Sequence, residues 1–399
     1  MKIHTPEDVG LSSERLQRIS PLMQDFVKND QMPGVMTLVQ RRGKVAHFDM
    51  FGHMDIEAKK PMQEDALFRI YSMTKPITSI ALMMLFEEGC FGINDPVANY
   101  IPAFKDTKVY AGMDYVSMKL VEQDQPMTIR HLMTHTSGLS YGWYLDSPVE
   151  TLYREAMTEE RFNRDQNLQE LVERLAQLPL LFQPGTNWRY SMATDVLGYL
   201  VQTIANMPFA DFLEERIFKP LGMIDTAFDV PVGKVQRLAQ IYESDDIYNP
   251  RVIEVAPGVL DVTTPTKCPL GGGGLVSTLD DYLRFCNSLI NDGQHLIAPK
   301  TLQWMTKNHI PGALFPLSIG PDEMYGYGFG LGFRVMVDTA RSAKLTSSGE
   351  YGWGGAAKTY FWVDPQEEII GLLMTQYMPQ GKLPIQERFH NLVYQAIID

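Results

Sequence analysis

Ser72-Met73-Thr74-Lys75 places a hydroxyl and an amine three residues apart. On a helix that spacing puts both on one face, one turn apart. An uncharged amine in that position can take the hydroxyl proton and make the serine a nucleophile. Far downstream stand Tyr190-Ser191-Met192, with a phenol, and Trp353-Gly354-Gly355. A serine, a lysine and a phenol suffice for acyl transfer: one group attacks a carbonyl and two move protons. Taken singly, each has a plainer reading. Ser72 would be a helix cap, Lys75 an exposed first-turn side chain, and Tyr190 and Trp353 packed aromatics. The ordered set carries the chemistry.

The surrounding residues must position the tetrad. Residues 68–71 read as an extended, aromatic-rich lead-in. A helix is expected over 73–88 with Ser72 as its N-cap, since Pro76 is tolerated only in a first turn. Ile77, Ile80, Ala81, Met84 and Leu85 recur at helical steps, so one face should be buried, and Gly89 supplies the stop. Ser72 then lies at the positive end of a helix, where backbone N–H groups can receive a developing oxyanion. A cationic lysine is disfavoured by the dipole there, so Lys75 needs a reason to be present.

Further out, 11–28 reads as a helix with Leu16, Ile19, Leu22, Met23 and Phe26 on one face. Strands are expected over 35–39 and 45–51, joined by a turn at 41–44, and again over 328–337, 357–363 and 369–375. Asp364-Pro365-Gln366-Glu367 is a strong turn signal between the last two. Helices are expected over 168–178, with Leu168, Leu171, Val172, Leu175 and Leu178 on one stripe, and over 384–398. Strands at both ends with helices between imply one sheet assembled from both termini, with a helical region beside it: an α/β fold of the α+β type.

With these residues in place, the chain resembles the serine β-lactamase and penicillin-binding-protein superfamily, in its class C-like branch, the family VIII carboxylesterases. Ser72 and Lys75 match the S-x-x-K element. Tyr190-Ser191-Met192 matches Y-x-N or Y-S-x, and Trp353-Gly354-Gly355 matches the W-G-G that often replaces K-T-G in the esterases. Segments 68–104, 127–139, 188–200, 217–228 and 271–285 share the likeness, which spans most of the chain. The resemblance implies an antiparallel sheet flanked by helices plus an inserted helical domain. Residues 1–82 and 190–399 would form the discontinuous α/β domain and 83–189 the helical one, with the site in the cleft between.

The resemblance also implies roles. Ser72 Oγ would attack an ester carbonyl, and Lys75 and Tyr190 would share the base and acid steps, with the primary base left open. The backbone N–H groups of Ser72 and Ala356 would bind the oxyanion, where one donor is worth about 3 kcal/mol. Trp353, Gly354 and Gly355 would line the substrate. Two departures matter: Met192 stands where lactamases of this type carry an amide, and Trp353 where they carry a lysine. Losing a cation weakens recognition of a carboxylate-bearing β-lactam, while an aromatic ring suits a neutral acyl or alcohol group. The expected activity is hydrolysis of short- to medium-chain carboxylic esters through a Ser72 acyl-enzyme, with weak cephalosporin hydrolysis as a side reaction. The alternatives are a β-lactamase or D-amino-acid peptidase, and an acyl-binding receptor that deacylates very slowly.

Competing signals are weaker. Gly138-Leu139-Ser140-Tyr141-Gly142 fits G-x-S-x-G, but that elbow needs a strand before it and a helix after it. Here 127–133 reads as a helix capped by Thr128, and 142–148 as loop, so Ser140 is a decoy. Residues 140–162 are instead expected to line the acyl or alcohol pocket. His131 and His135 have a zinc-like spacing without the glutamate or a third ligand. His135 is expected to satisfy carbonyls at the helix end. Gly271-Gly272-Gly273-Gly274 lacks a following Gly-Lys-Ser/Thr, so it reads as close backbone approach beside the site rather than a phosphate cradle. After it, residues 277–281 offer a capping box for the next helix.

Composition bounds the partners. The 399 residues are 45% hydrophobic, enough for a sizeable core. A net charge of −13 argues against nucleic acid and anionic membrane surfaces, leaving a small-molecule ester, or a β-lactam, as the partner. The 23 methionines read mostly as core filler. Three widely spaced cysteines, Cys90, Cys268 and Cys286, suggest no disulfide framework. With no apolar leader core in the first residues, a cytoplasmic location is expected, or else the mature form of an exported protein. No metal and no cofactor is expected, and oligomeric state is left open.

Overall fold

The computed structural model describes residues 1–114, 117–158, 166–244, 254–255, 261–379 and 382–399. Its centre is an eight-stranded sheet. The strands are β1 (Gly34–Arg41), β2 (Lys44–Asp55), β3 (Lys60–Pro61), β4 (Tyr327–Phe329), β5 (Arg334–Met336), β6 (Tyr351–Gly354), β7 (Tyr360–Asp364) and β8 (Ile369–Met374). They lie in the order β4-β5-β6-β7-β8-β1-β2-β3, each pair antiparallel. The first and last parts of the chain therefore meet at β1 against β8, where Met36 faces Met374 and Arg41 faces Ile369. The turn before β8 forms as its sequence implies, with Asp364 Oδ1 accepting the N–H groups of Gln366 and Glu367.

Both faces of the sheet are covered, which explains near-continuous apolar strands in place of simple alternation. Val35, Val39, Tyr360, Trp362, Ile369 and Leu373 pack on one side, under α1 (Ser13–Leu16), α2 (Ile19–Lys28) and the closing helix Ile385–Tyr394. Met36, Leu38, Phe361, Val363, Ile370 and Leu372 pack on the other, against α3 (Thr74–Glu87) and the helix Leu279–Ile290. The two sets alternate along each strand, as a pleat requires. Among the described residues no helix is long and apolar enough to cross a membrane.

Three expectations need correcting. The helix over 11–28 is broken at Gln17 and Arg18. Pro21 explains this: it has no N–H to donate and its ring would strike the carbonyl one turn back, so it must sit in the first turn of α2. The strand over 328–337 is the hairpin β4–β5, turned at Gly330–Phe333, where Gly330 N–H bonds Phe333 O and Gly332 has φ 93°. Helix α3 is buried on all sides from Thr74 to Leu85, not on one face. It is a core helix, so its apolar stripe understated its burial.

Candidate active site

The chain reaches Ser72 through an unusual backbone. Tyr71 has φ 44°, a left-handed conformation that costs a non-glycine residue roughly 1 kcal/mol or more. Residues Tyr71–Met73 form a 3-10 turn that runs straight into α3. Ser72 is thus not the N-cap. Met73 holds that position without a side-chain bond. The serine hydroxyl is spared from capping and stays partly accessible at the amino end of α3.

Lys75 is 1% exposed. Its Nζ donates to Ser72 Oγ at 3.2 Å, Tyr141 Oη at 2.8 Å and Gly272 O at 2.6 Å. It also lies 4.6 Å from the centre of the Tyr190 ring. Tyr190 comes from the loop just before α5 (Ala193–Ala205). Burial pushes its phenol up from the ordinary value, while hydrogen bonds with Ser72 and Trp353 pull the other way. The Trp353 Nε1–H donates to Tyr190 Oη at 3.3 Å. The serine, lysine, tyrosine and tryptophan singled out in the sequence therefore converge.

Strand β6 delivers Trp353 and Gly354, and the turn beyond it holds Gly355 and the exposed Ala356. Gly355 is required by contact: a Cβ there would stand 2.5 Å from Ile70 O and 2.1 Å from Thr359 Oγ1. Thr359 Oγ1 in turn donates to Ile70 O at 3.3 Å. The end of β6 is thereby fastened to the backbone two residues before Ser72.

An aromatic wall surrounds the polar groups. Tyr141 stacks on the half-exposed Trp143 with centroids 4.1 Å apart, and Phe329 meets Trp353 edge-on at 5.3 Å. Of the segment expected to line the pocket, 140–162, residues 159–162 lie outside the described residues. Tyr144 is buried, with its hydroxyl on Tyr190 O, so it packs behind the site.

Other candidates find different employment. Ser140 is fully buried and donates to the Glu150 carboxylate. It is preceded by α4 (Ile129–Met133) and a turn, not a strand. The His131 ring accepts the Thr128 N–H in a capping box. His135 corrects another expectation. Its ring bonds Ser191 Oγ at 3.2 Å and packs on Tyr190, Trp188 and Phe329, rather than on helix-end carbonyls. Burial, with Lys75 nearby, holds it well below the ordinary histidine range, so it is neutral. The glycine run is close backbone approach beside the site, as expected: Gly272 O touches Lys75. Thr278 caps the next helix, but Asp281 completes no box. Its carboxylate is taken by Asp225 N and Thr226 Oγ1.

Tyr141 is the residue that sequence reasoning missed. It sits inside the G-x-S-x-G match, one position after the decoy serine, and only its contact across 66 residues reveals it.

Comparison with known proteins bears on the family and the fold. The family profile described as Beta-lactamase matches residues 19–395. Protein Rv1367c of Mycobacterium tuberculosis is 35% identical over 356 residues, covering 87% of this chain and 86% of that protein. Esterase EstB of Burkholderia gladioli is 30% identical over 381 residues, covering 91% of each. The structure titled EstCE1, a hydrolase with promiscuous acyltransferase activity, superimposes with a TM-score of 0.81 at 27% identity, over 96% of this chain and 99% of that one.

Proposed function

Because the chain belongs to the beta-lactamase family, we propose that it is a serine hydrolase that cleaves short- to medium-chain carboxylic esters through an acyl-enzyme on Ser72. The observation that carries this reading is the meeting of Ser72 Oγ, Lys75 Nζ and Tyr190 beside Trp353. The resemblance would put a carboxylate-binding lysine at 353, and Esterase EstB among the relatives supports ester cleavage.

In this mechanism the uncharged form of Lys75 keeps its two N–H groups on Tyr141 Oη and Gly272 O, turns its lone pair to Ser72 Oγ in place of the third donation, and takes that proton as the oxygen bonds to the ester carbonyl carbon. Burial disfavours tyrosinate at Tyr190. The phenol therefore serves as donor, passing a proton to the departing alkoxide while Lys75 re-protonates it. The carbonyl oxygen becomes an oxyanion held by the N–H groups of Ser72 and Ala356. Water then enters, the same pair removes its proton, and the carboxylic acid leaves with Ser72 restored. The neutral ring of Trp353 favours acyl and alcohol groups without charge, so cephalosporins are poor substrates. Ser72 and the β6 turn belong to the part formed by 1–82 and 190–399, and Tyr141 to 83–189, so the substrate enters between the two.

Labelling with a fluorophosphonate followed by peptide mapping tests the assignment. The adduct is expected on Ser72, with turnover of a p-nitrophenyl butyrate far exceeding that of a chromogenic cephalosporin. Activity that survives Ser72→Ala would overturn it, and a single burst without turnover would favour an acyl-binding receptor.

A further inference from the structure

We propose that Asp195 is a positioning residue for the lysine–phenol pair: its carboxylate fixes the glycine turn on which the Lys75 amine rests, and ties that turn to the helix start that follows Tyr190. The proposal rests on the reading of Ser72, Lys75 and Tyr190 as the reacting set.

Asp195 lies in the first turn of α5 and is 3% exposed. Its Oδ1 accepts the Gly272 N–H at 2.8 Å, and Gly272 O accepts from Lys75 Nζ at 2.6 Å. One residue earlier, Gly271 O accepts from Thr78 Oγ1 at 2.8 Å, one turn beyond Lys75 on α3. A single glycine is therefore gripped at both ends, by α5 through its N–H and by α3 through its carbonyl. Side chains have no room at Gly271 or Gly272. A Cβ on Gly272 would stand 2.6 Å from Asp195 Oδ2, and one on Gly271 would stand 2.6 Å from Thr194 O. Tyr190 precedes Asp195 by five residues. One carboxylate thus sets the register between the element bearing the amine and the element bearing the phenol.

Burying a carboxylate is costly, and the Gly272 N–H that it accepts offsets part of that cost. The amino end of α5 offsets a further part. Its charge also has a direction: an anion here favours protonated Lys75 and un-ionised Tyr190, which keeps the phenol a proton donor. Among the described residues, the titratable groups around the pair include Tyr141, Tyr144 and the neutral His135, with Cys268 near the carboxylate.

The test compares Asp195→Ala and Asp195→Asn with Ser72→Ala in the full chain, using p-nitrophenyl butyrate, pH–rate profiles and circular dichroism. Asp195→Ala should lose roughly 100-fold in kcat with little change in KM, as expected when reacting groups shift by about an ångström. Asp195→Asn keeps an acceptor for Gly272 N–H and should recover to within about tenfold of the native rate. Removing the anion makes the protonated base less favourable, so the acid limb of kcat/KM should move about half a unit or more to lower pH in Asp195→Asn. Native kcat in Asp195→Ala would overturn the proposal, as would an Asp195→Asn no faster than Asp195→Ala with an unmoved acid limb. Should Asp195→Ala fail to fold, the Asp195→Asn profile decides alone, and an unmoved limb overturns the proposal. An active Ser72→Ala would instead overturn the underlying assignment.

Discussion

Tyr141 Oη lies 2.8 Å from Lys75 Nζ, nearer than Ser72 Oγ at 3.2 Å. The phenol therefore helps to decide where the amine points. Phenylalanine at 141 would keep the stack on Trp143 and remove only that oxygen. Losing a hydrogen bond to a buried amine costs about 1–3 kcal/mol. We expect Tyr141→Phe to lower kcat roughly tenfold or more with KM little changed. Steady-state kinetics on an activated ester check this, and an unaltered kcat would show that Tyr141 does not steer the amine.

The Trp353 indole N–H donates to Tyr190 Oη, and a donor at that oxygen favours the ionised phenol. Phenylalanine at 353 would retain the packing on Phe329 and remove the donor. The Tyr190 phenol, already pushed up by burial, should then rise further. Any limb of the pH–rate profile that follows phenol ionisation should move to higher pH in Trp353→Phe. A profile identical to that of the native enzyme would count against a role for this contact.

Much of this arrangement is legible in the sequence because it is local or periodic. The serine and lysine lie one turn apart, and near-continuous apolar runs mark β1, β7 and β8. What escapes reading is tertiary. Ser72 looked like a cap because nothing in the residue types announces the positive φ of Tyr71. Tyr141 and Gly272 reach Lys75 across 66 and 197 residues, and no spacing rule relates them. The break at Arg18 was readable from Pro21, but the apolar stripe masked it. His135 looked like an end cap because its position suited one. Aromatic packing around Tyr190 decided otherwise.

Ser140 offers a check on the misleading motif. Its hydroxyl and the Gly142 N–H both serve the Glu150 carboxylate, which burial pushes up from the ordinary range. Ser140→Ala should therefore cost about 1–3 kcal/mol of stability, the penalty for a buried acceptor that loses its donor. The kcat per folded molecule should stay within about twofold of native. Thermal melts and active-site titration separate the two effects. A loss of turnover without a loss of stability would return Ser140 to consideration as the nucleophile.

Acid lability should centre on Glu350, the residue just before β6. Its carboxylate is fully buried, 3.0 Å from His390 Nε2 and 3.5 Å from an Arg334 guanidinium nitrogen, and it also accepts from Thr346. Burial works against the charge, but Arg334, Lys344 and the hydrogen bond from His390, a ring that burial itself holds below the ordinary histidine range, outweigh it and hold the group at about 2. The unfolded chain would titrate it near 4.3. Folding therefore gains stability from this group above that value, and loses it as pH falls from about 4.3 towards 2. Glu350→Gln leaves the Arg334 charge without its partner, which typically costs about 3–5 kcal/mol. Urea unfolding at pH 7 should show that loss, and the gap between native and variant should narrow at pH 3. A constant gap across that range would mean that another carboxylate governs acid unfolding. Since Trp353 lies three residues further along the same segment, slackening here should also reach the site, as a fall in kcat that follows the loss of stability.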